Sequence, residues 1–122
     1  MKTKDGSVDI RYLNTHLWNV LGRIEVCLQW YLGESYELMV TSGGEKTAKH
    51  MSGSKHYEWC AVDCRVYVEK LGQVFRLTVE ESEELQDDLY KALGSDFDIV
   101  PHVREVRGVK LVSHVHVEYD PD

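Results

Sequence analysis

The sequence predicts one α+β domain, in which two helices pack on one face of a mainly antiparallel sheet. The order of its patterns supports this class: a helix-type period is followed by two strand-type segments, a second helix-type period and a final pair of strands. No repeat, low-complexity tract or linker-like stretch interrupts the 122 residues. That length is enough for one hydrophobic core, so we expect residues 1–122 to form a single domain.

The first helix is indicated by apolar residues that recur every three or four positions from Leu13 to Tyr31. Gly33 follows directly and is typical of a helix end. Alternating apolar residues then predict a short strand over residues 36–40. Residues 42–58 contain few core-type side chains, which predicts a long loop, and loops of that length are usually functional.

The second helix has a clear start, because Thr78-Val79-Glu80-Glu81 is a capping-box pattern with Thr78 as the N-cap. Gly94 is typical of its end. The remainder predicts a hairpin with strands over residues 98–106 and 109–119 and a turn at Arg107-Gly108.

A further strand is predicted over residues 60–68, where successive side chains point to opposite faces. Asp63 then faces away from the core, while Cys60 and Cys64 fill it as small buried side chains. The same alternation in the last strand puts two histidines side by side, away from the core. Its core face is assigned Val109, Leu111, Ser113, Val115, Val117 and Tyr119, and its other face Val112, His114, His116 and Glu118.

Two histidines and an aspartate on non-core faces are a donor set that suits a divalent metal. Two imidazole nitrogens and one carboxylate oxygen, with the fourth position left to water, form a recognised catalytic zinc site. The pattern therefore predicts Zn²⁺ beside Asp63, with either His114 or His116 as a ligand and a loop histidine available to complete the set.

Charge and composition exclude several classes of partner. A net charge of −7 without any basic run argues against nucleic-acid binding. Charged residues interrupt the long apolar stretches, so no membrane segment is expected. The amino terminus lacks the apolar core of a signal peptide, and three cysteines without framework spacing predict reduced thiols. We therefore expect synthesis in the cytoplasm, and the oligomeric state stays open.

The segments that carry these donors resemble a known family. They are Val40-Thr41-Ser42-Gly43, His50-Met51-Ser52-Gly53-Ser54-Lys55-His56-Tyr57-Glu58, Ala61-Val62-Asp63 and His114-Val115-His116-Val117-Glu118-Tyr119-Asp120-Pro121. Together they resemble the D-Ala-D-Ala carboxypeptidase-like metallopeptidases, in particular small phage-type members, and the related hedgehog signalling domain. The resemblance covers most of the chain and implies the α+β fold of that family.

The resemblance also implies a role for individual residues. The zinc ligands would be His56, Asp63 and His116. His114 would stand beside the metal in the active site, and His50 would lie near the reacting carbonyl. The residues implied to shape the loop or contact the substrate are Ser42, Ser54 and Tyr57.

The general base is where the chain departs from the family. These peptidases usually carry a Glu a few residues before the ligand histidine, where it activates water. Here residues 110–113 contain no carboxylate, and the remaining candidates are His102 and Glu105. With a turn at Arg107-Gly108, residue 102 would pair with residue 113 beside His114, and Glu105 would lie nearer the hairpin tip.

Two functions are therefore hypotheses. The first is a zinc peptidase that cleaves peptidoglycan stem peptides, as a phage-type cell-wall hydrolase acting in the periplasm or cell wall after release. The second is a catalytically impaired zinc-binding module with a structural or partner-docking role. The ligand set favours the first function, and the missing Glu favours the second.

Overall fold

The computed structural model describes residues 1–44 and 59–121, and within them the predicted α+β class is confirmed. Two helices accompany a mixed but mostly antiparallel sheet. The elements are β1 (Lys2–Thr3), α1 (Thr15–Leu32), β2 (Met39–Ser42), β3 (Ala61–Cys64), β4 (Tyr67–Lys70), β5 (Gln73–Arg76), α2 (Val79–Leu93), β6 (Phe97–Val106) and β7 (Val109–Tyr119).

The main sheet has the strand order β1-β2-β3-β7-β6, and β1 with β2 is its parallel pair. The strand predicted over residues 60–68 is shorter in the structure, where β3 begins at Ala61 and ends at Cys64. One further backbone hydrogen bond to β2 follows, from the Arg65 N–H to the Met39 carbonyl at 2.8 Å, before the chain leaves the sheet. It continues into a separate β4–β5 hairpin, whose second strand the sequence did not reveal.

Helix α1 begins one position after Asn14, whose side-chain oxygen accepts hydrogen bonds from the backbone of His16 and Leu17. It ends at the predicted Gly33, where a φ of 95° favours glycine. The side of α1 that faces the core carries Leu17, Val20, Leu21, Ile24, Leu28 and Leu32.

Helix α2 confirms the capping box. The Thr78 hydroxyl accepts from the Glu81 backbone at 3.0 Å, and the Glu81 carboxylate accepts from the Thr78 backbone at 2.9 Å. Leu85 and Leu89 are fully buried, and the helix ends before Gly94 as predicted.

Both helices contribute to one core on one face of the sheet. The sheet side of this core includes Val62, Cys64, Ile99, Val115 and Val117. The other face, here called the outer face, carries the side chains between these positions. No helix in residues 1–44 or 59–121 is both long and apolar enough to cross a membrane.

The β6–β7 hairpin turns at Arg107-Gly108 as predicted, with φ values of 52° and 80° that suit a tight two-residue turn. Its pairing shifts by one residue between His102 and Val103. Ser113 is the extra residue on β7, a β-bulge, so His102 lies opposite His114 and not opposite residue 113.

The bulge also corrects the predicted faces of β7. Val112 is fully buried, although strict alternation placed it away from the core, and Leu111 is only half-buried, although alternation placed it inside. The extra residue reverses the alternation of side chains before Ser113. After Ser113 the prediction is confirmed, since Val115 and Val117 are buried and the two histidines lie on the outer face.

Truncation of Leu28 tests this core. Leu28→Ala removes a fully buried side chain of α1, so the free energy of unfolding should fall by about 2–5 kcal/mol. Chemical denaturation measures the change. In contrast, Val26→Ala on the exposed side of the same helix should change it by less than about 0.5 kcal/mol. An equally small effect of Leu28→Ala would contradict the assigned core.

Candidate metal centre

Polar side chains form a row across three neighbouring strands of the outer face. Asp63 on β3 is paired with His116 on β7, and His114 on β7 is paired with His102 on β6. Paired residues in adjacent strands point to the same face. Strand register therefore gathers residues that are distant from one another in the chain.

His116 occupies the centre of this row and has a carboxylate at each ring nitrogen. Its Nδ1 lies 2.8 Å from Oδ1 of Asp63, and its Nε2 lies 2.8 Å from Oε1 of Glu118. Glu118 had no role in the sequence prediction. Its position two residues after His116 on the same face was the available signal. Two carboxylates thus fix the orientation of this imidazole.

His114 lies at the edge of the row toward β6. Its Nε2 is 3.8 Å from the same Asp63 oxygen, and its ring stacks on His102 with the centroids 4.6 Å apart. The hydroxyl of Ser113 donates to the His102 carbonyl at 3.2 Å and lies 3.0 Å from Nδ1 of His114. The residue that forms the bulge therefore also holds the histidine next to it.

The structure places the other predicted site residues as follows. Ser42, at 8% exposure, lies opposite Asp63 on β2. His102 joins the row, but Glu105 does not, because it lies an odd number of residues further along β6 and so faces the other way, opposite Lys110. Four further predicted residues lie outside the described part of the chain: His50, Ser54, His56 and Tyr57.

The electrostatics of His116 favour its charged form. Burial acts to lower its pKa, but the hydrogen bond and charge of Asp63, together with those of Glu118, hold the pKa above its usual value. Metal binding requires the neutral imidazole. Protons and metal ions would therefore compete for this residue near neutral pH.

This competition predicts opposite pH responses with and without zinc. A raised pKa in the folded state means that protonated His116 stabilises the metal-free fold fully below the ordinary pKa of 6.5. That contribution is lost as the pH rises through the raised pKa. A zinc ion held by His116 would bind better as His116 loses its proton, so its stabilising effect should increase over the same pH range.

Denaturant midpoints measured between about pH 5 and pH 8, in chelator and in excess zinc, check this prediction. His116→Gln is the control and should remove most of the difference between the two pH profiles. Parallel profiles for the wild type would contradict it.

A second group of possible ligands lies at the end of the row. Asp98, Glu118 and Asp120 each bring one carboxylate oxygen to within 4.8 Å of the others. Asp98 is paired with Glu118 across β6 and β7, so this acidic group adjoins His116 through a shared residue. Oxygen ligands of this kind suit hard cations.

No family model, curated protein or solved structure matches the chain. The chemistry of the site therefore rests on its own donors. Within the residues placed here, those donors are imidazole nitrogens and carboxylate oxygens on a sheet face that the helices leave uncovered.

Proposed function

We propose that this chain is a zinc-dependent peptidase that cleaves peptidoglycan stem peptides, with His56, Asp63 and His116 as its zinc ligands. The proposal includes the fold of the D-Ala-D-Ala carboxypeptidase-like and hedgehog families, and action on the cell wall after release. The observation that carries it is the contact between Asp63 and His116, with His114 close to the same carboxylate oxygen.

The donor set fits zinc. The two atoms that would share the ion, Asp63 Oδ1 and His116 Nδ1, are 2.8 Å apart. Ligands of a tetrahedral zinc with bonds of about 2.0–2.1 Å lie about 3.3 Å from each other. A widening of about half an ångström would thus admit the ion. Glu118 on the far nitrogen of His116 supports the fit, since metal-bound histidines usually donate their other N–H to a carboxylate.

When bound, zinc supplies a Lewis acid that polarises a peptide carbonyl and acidifies water. The residues of the chain have separate tasks around it. His102 is exposed and stacked on His114, so its ring can accept a proton and return it to the leaving amine. His114, whose Nε2 is 3.8 Å from the same Asp63 oxygen, is assigned the task of donating to the carbonyl oxygen as negative charge develops.

A non-hydrolytic zinc-binding module is the second candidate. The position of Glu105 favours this candidate. Glu105 lies on the opposite side of β6 from His102, so its carboxylate cannot act as a general base for the polar row. In this candidate the same ligands hold zinc for a structural or partner-docking role.

Metal analysis and a hydrolysis assay test both candidates. The purified chain should contain about one zinc ion, and purified cell walls should release new peptide amino groups in a reaction that chelator stops and zinc restores. Zinc without hydrolysis would leave the binding module as the function. A protein that takes up no zinc would contradict both candidates.

A further inference from the structure

The side of α1 that faces away from the core carries a line of apolar residues. Gly22 and Val26 are each two positions from Ile24, which is fully buried, so a helix of 3.6 residues per turn places both on the opposite side. Trp18 and Trp30 continue the line at its two ends, and they are 48% and 83% exposed. Tryptophan is highly buried on average in folded proteins. Two exposed tryptophans on one line therefore indicate a surface for contact with another molecule.

The apolar surface continues from α1 onto the β4–β5 hairpin. Trp30 lines an open cleft of about 650 Å³ together with Val74 and Phe75 of β5, and both of these side chains are exposed. Lys70 and Glu81 also line the cleft. An apolar surface with charged residues beside it is typical of a protein contact site. This surface is here called the helical patch and consists of Trp18, Gly22, Val26, Trp30, Val74 and Phe75.

The area of the helical patch is in the range that a dimer requires. A fully exposed tryptophan presents about 250 Å², so Trp18 and Trp30 at their observed exposures contribute about 300 Å². Val26, Val74 and Phe75 are each roughly half exposed and add a similar area. Two copies in contact would therefore bury about 1,200 Å² of apolar surface, which is the lower limit for a specific protein interface.

We propose that the helical patch binds the helical patch of a second copy of this chain, with the two α1 helices antiparallel about a two-fold axis. Such an interface joins one surface to itself, so the surface must be self-complementary. An axis halfway between residues 22 and 26 places Gly22 opposite the partner's Val26, and Trp18 opposite the partner's Trp30. Ridges of residues four apart form the commonest class of helix contact.

The sizes of the facing residues match in this arrangement. A Cβ at Gly22 would meet no atom within 4 Å, so this position leaves a hole that the partner's Val26 can fill. The cleft beside Trp30 is large enough to receive the partner's Trp18, and two indole rings in contact stabilise an interface beyond the area that they bury.

Charge does not oppose the contact between two copies. The charged side chains of α1 are Arg23 and Glu25, and both are engaged within the chain. Arg23 donates to the Ala92 carbonyl at 3.2 Å, and the Glu25 carboxylate accepts from the Leu38 backbone N–H at 2.8 Å. The net charge of −7 argues against an anionic membrane as the occupant of the patch.

The dimer leaves the row of histidines uncovered. The patch lies on the helical side of the sheet, whereas the row lies on the outer face. A two-fold pairing through α1 would therefore present two rows that face away from each other. One dimer could then engage two segments of a polymeric ligand and gain affinity through bivalency.

Sedimentation equilibrium of the wild type tests the proposal. The chain should be monomeric at about 1 µM and mostly dimeric at about 200 µM, as expected for a small interface with a Kd of about 10 µM. Gly22→Leu should raise this Kd about tenfold or more, because its side chain fills the hole for the partner's Val26. The same change should not destabilise the monomer, since the added side chain meets open space and leucine favours a helix more than glycine does.

A charge in the middle of the patch gives a second test with a matched control. Val26→Glu should also raise the Kd about tenfold or more, because it would bury a carboxylate at the contact. Val109→Glu makes the same change on β7, at 58% exposure compared with 65% for Val26, and should leave the Kd unchanged. Thermal unfolding of each variant at about 1 µM, where the chain is monomeric, confirms that it is folded.

A mixture of two variants tests the antiparallel pairing. Gly22→Lys and Val26→Glu should each remain monomeric alone but form a heterodimer when mixed, because the introduced lysine of one chain lies opposite the introduced glutamate of the other. A mixture that stays monomeric would reject this pairing.

Three other results would also overturn the proposal. The first is a wild type that stays monomeric at about 200 µM. The second is a dimer that persists undiminished in both Gly22→Leu and Val26→Glu, which would place the interface elsewhere. The third is a monomeric wild type that insoluble cell-wall glycan retains and Trp30→Ser does not, which would assign the patch to a sugar.

Discussion

Asp63→Asn should reduce the affinity for zinc more than about 100-fold and abolish the proposed zinc-dependent cleavage with it. The reason is that Asp63 is the carboxylate that His116 and His114 share. Removing a side chain that only hydrogen-bonds to a metal ligand lowers the affinity for the metal by about 10- to 100-fold. Removing a ligand itself should lower that affinity further. Competition with a chromophoric chelator measures the affinity.

Asp87→Asn is the control for this substitution, since it makes the same chemical change at an exposed position of α2. It should leave both zinc affinity and cleavage unchanged. Zinc affinity that survives Asp63→Asn intact would show that the ion binds elsewhere, and the acidic group around Asp120 would be the place to look.

His102→Gln should lower kcat for wall peptides by about 10²- to 10⁴-fold without changing the zinc content. His102 stacks on His114 and lies at the edge of the ring of His116, with centroids 6.1 Å apart, so it is the group of the row placed to transfer a proton without being a ligand. Glutamine keeps a polar side chain of similar reach but cannot take up the proton.

Two further variants make this prediction specific. His102→Glu should retain activity, because a carboxylate at the same position can serve as the base. His16→Gln removes an exposed histidine that stacks on Tyr119, and should have no effect on kcat. An unchanged kcat in His102→Gln would exclude His102 as the base. No other side chain of the polar row would then be assigned to transfer the proton.

The helices and the final hairpin were predictable because their signals are local. The capping box at Thr78 and the glycine at position 33 each act within one helical turn, and both appear in the structure as expected. The turn at Arg107-Gly108 likewise depends only on its own two residues. Such features require no knowledge of the rest of the fold.

The missed features depend on contacts between distant segments. The strand from Ala61 ends at Cys64, and the chain then pairs within the separate β4–β5 hairpin, which no pattern in residues 60–68 indicates. The bulge at Ser113 was equally hidden, since hydrophobic alternation assumes a constant phase along the strand. Alternation still placed Asp63 and the two histidines of β7 on the outer face, because all three lie where the phase is regular.

Glu118 shows what sequence patterns miss within a motif. It was visible two residues after His116 on β7, yet its value comes from the 2.8 Å contact between its Oε1 and Nε2 of the His116 ring. Chemical type and spacing identified candidate ligands, whereas a group that orients a ligand required coordinates.

The extra residue at Ser113 limits which insertions and deletions this hairpin can accept during evolution. After Ser113, the direction of each side chain is fixed by the pairing of β7 with β3, in which His116 lies opposite Asp63. Before Ser113, it is fixed by the burial of Val112 in the core. Loss of a single residue between Val112 and His116 would force one of these two halves to turn its side chains over. Lineages of this protein should therefore tolerate changes of length at the Arg107-Gly108 tip more readily than single-residue changes around position 113.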